Sequence, residues 1–251
     1  RPEVLKALPV LHPFQSVYKN LSTYDKDETF IHSLSFQAKY LGMASYEAPS
    51  IFTFLPFLEH ELGLFHVKGG ISKIHEKMKE LSENNGATFY MQTAVKRVLV
   101  KKGRAYGIKR VDDQEILYDE IVINADFAYA MHELIYSSDL KEYHPYKVQQ
   151  KKYSVSTFMI YLGLDQTYSF EHHGVYFSKD YATYLKKLMR NEYSEDFSYY
   201  LHNPSVIDET LAPKGHSSLY ILVPVPNLSG TTDWEVIKHA LKDAIINDIE
   251  E

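Results

Sequence analysis

Residues Val67 to Asp126 constrain the fold of this chain more than any other stretch. The row VKGGISKIHEKMKELSENNGATFYMQTAVKRVLVKKGRAYGIKRVDDQEILYDEIVINAD opens on Gly69-Gly70, where the backbone can turn with no Cβ in the way. Ile71, Ile74, Met78 and Leu81 then recur at helical spacing until Gly86, which predicts a helix with one buried face. Four short segments follow: Thr88 to Val100, Ala105 to Arg110, Glu115 to Tyr118 and Glu120 to Asn124. They are rich in β-branched and aromatic residues, are divided by Gly103 and Asp112-Asp113, and read as strands. A switch from helical to strand periodicity within one stretch calls for a layered unit of helix and sheet.

Composition narrows the function classes. A chain of 251 residues can bury a sizeable core in one domain or two. With 45% apolar and 24% charged residues it matches globular averages, so extended disorder is not expected. The formal charge of -6 argues against a nucleic-acid partner. The absence of cysteine excludes disulfides, thiolate catalysis and cysteine-ligated zinc or iron-sulfur centres. The longest apolar run, Ile51 to Leu58, falls far short of the roughly 20 residues that cross a bilayer, while lying on a membrane surface stays open. The chain starts at Arg1 and stops in Ile245 to Glu251, which reads as an amphipathic helix still in progress, so a fragment is expected.

Aromatic usage is the second signal. There are 21 tyrosines and 13 phenylalanines against one tryptophan, clustered at Ile51 to Phe57, Tyr176 to Tyr184 and Tyr193 to Tyr200. Such residues suit the wall of a cavity for a long apolar ligand, and equally an ordinary core; sequence alone favours the core.

Residues 1–65 read as helical, with Val4, Leu5, Leu8 and Leu11 on one face and Pro49 at the first turn of a new helix. Residues 66–139 hold the layered unit and a helix from Phe127 to Leu140 that Asp126 would cap. Residues 140–230 are rich in β-forming segments: Lys152 to Leu164, Val175 to Ser178, Phe197 to Asn203 and Ser217 to Pro224 predict a largely antiparallel sheet. A last helix occupies 231–251, with Thr232 and Glu235 at the spacing of a capping box. The fold class is therefore α+β.

Few residues announce chemistry. His172-His173 is the sharpest polar pair. Neighbouring strand positions point to opposite faces and no metal-binding partner motif lies nearby, so a loop or strand-end role is expected and no metal. A nucleophile elbow, a Walker A loop and G-x-G-x-x-G are all missing. Asn124-Ala125-Asp126 follows Ile121-Val122-Ile123 at the place where α/β sheets present ligands, although a plain strand end with a helix cap explains it as well.

The order of segments says more than any of them alone. FHVKGG, a helix, NNGATFYMQTAVKRV, IVINAD, SVSTFMIYLGLD, EHHGVYFSKDY, HNPSVIDETLAPKGHSSLYILVPVPNL and TDWE together closely resemble bacterial phytoene desaturases and the related diapophytoene (dehydrosqualene) desaturases, over nearly the entire chain. That family lies within the flavin-dependent amine oxidase-like superfamily, and IDETLAPKG followed by LYILVPVPNL is its most specific part here. The resemblance implies a desaturase that removes hydrogens from a long apolar polyene with FAD as acceptor. It implies a cytoplasmic enzyme peripheral to a membrane, with no catalytic residue identified. A carotenoid oxidase or isomerase on the same scaffold, or a non-catalytic apolar-ligand module, are the alternatives. The resemblance also implies that Thr93, Ala94 and Val95 pass the adenine part of FAD and that Asn124, Ala125 and Asp126 lie near the cofactor. Residues 1–65 and 140–230 would build the substrate domain around a split FAD-binding part at 66–139. The family's glycine-rich FAD segments are not in this sequence, so the chain alone is expected to be inactive and not to retain FAD.

Overall fold

A computed structural model describes residues 12–140 and 142–250, except for the side chains of Tyr40 and Leu41. The expected apolar face at Val4 to Leu11 lies outside them. The chain forms two compact units, one from residues up to Glu76 together with those from Ser154 on, the other Lys77–Tyr153. In chain order the longer helices are α1 (Val17–Leu21), α2 (Glu28–Ser35), α3 (Phe54–Leu62), α4 (Ser72–Asn84), α5 (Pro145–Gln149), α6 (Tyr181–Met189) and α7 (Trp234–Glu250).

In the unit Lys77–Tyr153, β1 (Val95–Lys101), β2 (Arg104–Arg110) and β3 (Glu115–Leu117) form an antiparallel meander. Gly107 is needed there, since a Cβ would stand 2.6 Å from the Ile116 carbonyl oxygen across the ladder. Three expectations fail in this region. The strand at Thr88 to Val100 begins only at Val95, after a turn at Met91-Gln92 where Gln92 has φ +53°. Glu120 to Asn124 joins no ladder among the described residues, and Val122 is 93% exposed. β-branched residues favour extended backbone, but a strand also needs a neighbour for its N–H and C=O groups. The helix predicted to Leu140 is a single turn, Phe127–Tyr129, continued by a π-turn, Ala130–Leu134; Ile135 is already extended.

α4 starts and stops where the glycines place it, yet Ile71, Ile74, Met78 and Leu81 are all exposed. The expected buried face is therefore uncovered.

In the other unit, β4 (Ser156–Leu164), β5 (His173–Tyr176), β6 (Tyr199–His202) and β7 (Ser217–Val225) form an antiparallel sheet in the order β4-β7-β6-β5. Along β7 burial alternates strictly, with Leu219, Ile221, Val223 and Val225 inside. Together with Leu201 they meet Leu241 and Ile245 of α7 to make the main core, where Ile221 and Ile245 are fully buried. Each such side chain contributes about 1.5–3 kcal/mol relative to exposure. The α7 cap differs from the expected box: Asp233, not Thr232, accepts from Glu235 N at 3.0 Å and Val236 N at 3.4 Å. An aspartate one residue nearer the first turn displaces the threonine as N-cap.

Helices α1 and α2 pack through Val17, Leu21 and Ile31, and a 3-10 segment, Phe36–Leu41, leads from α2 to Gly42. Asp27 caps α2 by accepting from Phe30 N, and Asp180 caps α6 by accepting from Thr183 N. Pro56 sits in the first turn of α3, where its missing N–H costs nothing.

Candidate functional site

The alternation that buries one face of β7 turns Tyr220, Leu222 and Pro224 to the other. Strand register adds neighbours to this second face: Met159 and Tyr200 beside Leu222, Tyr161 and His202 beside Tyr220, Val175 beside Tyr200, and His173 beside His202. Across one half of it lies a cavity of about 550 Å³, walled by Thr157, Val175, Tyr200, Tyr220, Leu222 and Pro224 from the sheet and by Phe36, Lys39 and Gly42 opposite. Its size and mostly apolar walls are those of a small-molecule site. Gly42 permits the close approach: it has φ +69°, and a Cβ there would lie 2.9 Å from Ser154 Cβ.

Among the described residues, Lys39 is the one cation on the cavity wall. Its ammonium stands 4.7 Å from the Tyr181 ring centroid and 5.7 Å from that of Tyr184, a cation–π arrangement. Burial brings its pKa down to about 8, so proton exchange near neutral pH is within its reach. The aromatic cluster at Ile51 to Phe57 is not part of this wall; Ile51, Phe54 and Phe57 are exposed.

The other half of the face carries histidines. His173 and His202 are cross-strand partners with parallel rings 4.8 Å apart. His172 precedes β5, so the opposite-face rule for strand neighbours does not reach it, and its ring lies 3.9 Å from that of His173. His172 Nε2 and His202 Nε2 are 3.1 Å apart. One ring nitrogen from each of the three lies within 4.8 Å of the others. His173 Nδ1 bonds the Tyr200 hydroxyl, while His202 Nδ1 is buried with no hydrogen-bond partner among the described residues. Burial and neighbouring imidazoles lower the pKa of all three, that of His202 to about 4, so the rings are neutral at neutral pH.

Asp208 anchors the edge of this cluster. Its buried carboxylate accepts from Gly69 N at 2.7 Å, Thr210 Oγ1 at 2.6 Å and Thr210 N at 3.0 Å, and bonds His66 Nε2 at 2.9 Å. These bonds hold it well below the usual carboxylate range, the Thr210 hydroxyl first among them. The glycine pair is thus tied to the His-Asp corner through the Gly69 amide, with Gly69 at φ +84°.

The residues expected near a cofactor all lie in the unit Lys77–Tyr153. Ala94 is exposed just before β1, its carbonyl accepting from Val111 N, and Val95 opens β1 opposite Arg110. Asn124, Ala125 and Asp126 are exposed; Asp126 is the expected cap, accepting from Tyr129 N at 2.8 Å through one oxygen. Sequence reading missed Lys39, His66, His202, Asp208 and Tyr220. The alternation in SSLYILVPV could have shown that Tyr220 and Leu222 share a face. The pairing of His173 with His202 could not be read, because α6 and its loops intervene between the strands and leave their register open.

No family model matches the sequence. Among curated proteins, the chain is 41% identical to a 4,4'-diapophytoene desaturase (4,4'-diapolycopene-forming) of Methylomonas sp, over 98% of this chain and 48% of the relative. It is 37% identical to an all-trans-zeta-carotene desaturase of Myxococcus xanthus, over 93% of the chain and 45% of the relative. A diaponeurosporene-forming 4,4'-diapophytoene desaturase of Staphylococcus haemolyticus is 32% identical over 96% of the chain and 49% of the relative. The crystal structure of a Methanosarcina mazei oxidoreductase superposes with a TM-score of 0.63 at 17% identity, over 94% of this chain and 51% of that one, and so shares the fold. The chain spans about half the length of the curated relatives it matches. With the order of motifs and the mixed helix and antiparallel-sheet fold, these matches make the chain homologous, over nearly its whole length and about half of theirs, to phytoene and diapophytoene desaturases.

Proposed function

We propose that the whole protein is an FAD-dependent carotenoid desaturase that takes hydrogens from a carbon-carbon single bond of phytoene or diapophytoene, and that the cavity on the β4–β7 sheet receives part of the polyene. The observation that carries this is the apolar, tyrosine-rich cavity wall in a chain 41% identical to a diapophytoene desaturase. Leu222, Val175 and Pro224 offer the contacts a hydrocarbon can use, and the tyrosine rings add flat walls that exclude water. Among the described residues, the hydroxyl of the cavity-wall Ser198 donates to Ser178 rather than to a histidine, which leaves it unprimed as a nucleophile.

For FAD the residues present fit in part. Asn124 and the second Asp126 oxygen are exposed polar groups, and Ala125 allows close approach, so the three can form a hydrogen-bonding rim. Ala94 and Val95 are assigned to the same cofactor. The glycine cradle that holds a dinucleotide phosphate is not encoded here. When bound, FAD supplies the two-electron acceptor, and the chain's residues orient and bury the substrate. Retention of FAD by the 251-residue chain alone is not expected, nor is activity. The exposed α4 face is proposed to meet the rest of the FAD-binding part.

A position peripheral to the cytoplasmic membrane surface is part of the same reading, since the substrate partitions into lipid. Exposed Phe54, Phe57, Leu58 and Phe65 on and after α3 support it, and no helix of the described residues is long and apolar enough to cross a membrane. The test is reconstitution of the full-length protein with FAD and diapophytoene or phytoene in liposomes, followed by visible spectra and product mass. Loss of two hydrogens per step is expected. Gain of oxygen or an unchanged mass would replace desaturation by oxidation or isomerisation.

A further inference from the structure

The geometry points to a transition-metal site formed by His172, His173 and His202, with an imidazole-preferring divalent ion of the zinc type as its occupant. Three histidines converge with one nitrogen each inside 4.8 Å, although they come from two strands' ends separated by a helix. A metal–nitrogen bond of about 2.0–2.1 Å places two ligands of one ion about 2.9 Å apart at a right angle and about 3.4 Å apart at the tetrahedral angle. The 3.1 Å between His172 Nε2 and His202 Nε2 falls between these values. His173 is exposed, so rotation about its side-chain bonds can bring its nitrogen the remaining distance.

The surroundings suit a ligand set. The Tyr200 hydroxyl bonds His173 Nδ1 and leaves Nε2 as the candidate ligand, a polar partner of the kind that orients a metal-bound imidazole. The His172 carbonyl accepts from Asn203 N at 3.0 Å, which fixes its backbone beside β6. Asp208 holds His66 with its ring 5.9 Å from that of His172, closing the cluster on one side. Three imidazoles without thiolate or carboxylate select borderline first-row ions over magnesium or calcium. The fourth position is left to water. An ion here would tie the start of β5 to the end of β6, on the sheet face that continues into the tyrosine-walled cavity.

The inference does not depend on flavin binding or desaturation, and its test uses neither. The tag-free 251-residue chain, stripped with a chelator, is titrated with Zn²⁺ by calorimetry and with Co²⁺ by visible absorption. One ion per chain is expected, with Co²⁺ bands of nitrogen ligation. His202→Gln and His173→Gln should each weaken binding about tenfold or more, while His216→Gln, outside the cluster, leaves it unchanged. His173 is exposed, so its variant reports on the site even if His202→Gln disturbs folding, which circular dichroism checks. Lack of saturable uptake at micromolar ion, or equal affinity in His173→Gln and the parent chain, would overturn the site and reduce the 3.1 Å contact to an N–H···N hydrogen bond between neutral rings.

Discussion

The β4–β7 sheet and helix α4 were built from the same kind of pattern, and they end in opposite states. In β7 every second residue is buried against α7, and Ile221 and Ile245 have no exposed surface. In α4 the equally regular Ile74, Met78 and Leu81 stand 41%, 61% and 64% exposed. Periodicity states which residues share a face, but burial requires a second apolar surface to meet it. The sheet finds that surface in α7. For α4 the described residues contain none, and in Ile121-Val122-Ile123, which pairs with no strand among them, Val122 is left 93% exposed.

The sharpest way to break this contrast is to truncate each side. Ile221→Ala removes a fully buried side chain between sheet and α7 and should cost about 2–5 kcal/mol, measured by urea unfolding. A cost below about 1 kcal/mol would mean that this core is loosely packed and that the contrast is overstated.

How much could be read in advance follows the same division. The antiparallel sheet, its four strands, the α7 helix and the Asp126 cap were legible, because period-two patterns and cap residues are local signals. The unpaired Glu120 to Asn124 was misread for the reason that a strand is a pairwise object and propensity reports only one member. The cavity was half legible: tyrosine density suggested walls, yet the Ile51 to Phe57 cluster went to the surface while Tyr200 and Tyr220 went to the site. The histidine cluster was illegible because it depends on register, and a slip of one residue would have turned His202 into the α7 core.

A smaller effect should come from acid. In the folded chain His202 titrates at about 4, and His172 and His173 also lie below the ordinary histidine value of about 6.5. The unfolded chain therefore binds more protons between these values, so stability is full above pH of about 6.5 and falls as pH drops toward 4. Asp208, with its carboxylate held low by Thr210, Gly69 and His66, adds a further loss only below the ordinary carboxylate value of about 4. Tyr200 and Tyr220 pack against the His202 ring. In chelator, His202→Gln should flatten the upper part of the profile and leave the Asp208 part. An unchanged slope between pH 6.5 and 4 would remove the cluster as its source.

The least effect is expected on α4, and it is the most informative about the comparison. Met78→Gln exchanges two residues of nearly equal helix propensity at an exposed site, so the 251-residue chain should change by less than about 0.5 kcal/mol. The same substitution in the full-length protein would bury an amide beside apolar neighbours if this face meets the rest of the FAD-binding part, at about 1–3 kcal/mol. Thermal unfolding of both pairs separates the cases. A neutral result in both lengths would make the α4 stripe a solvent face, and the proposed assembly of the FAD-binding part around it would have to be given up.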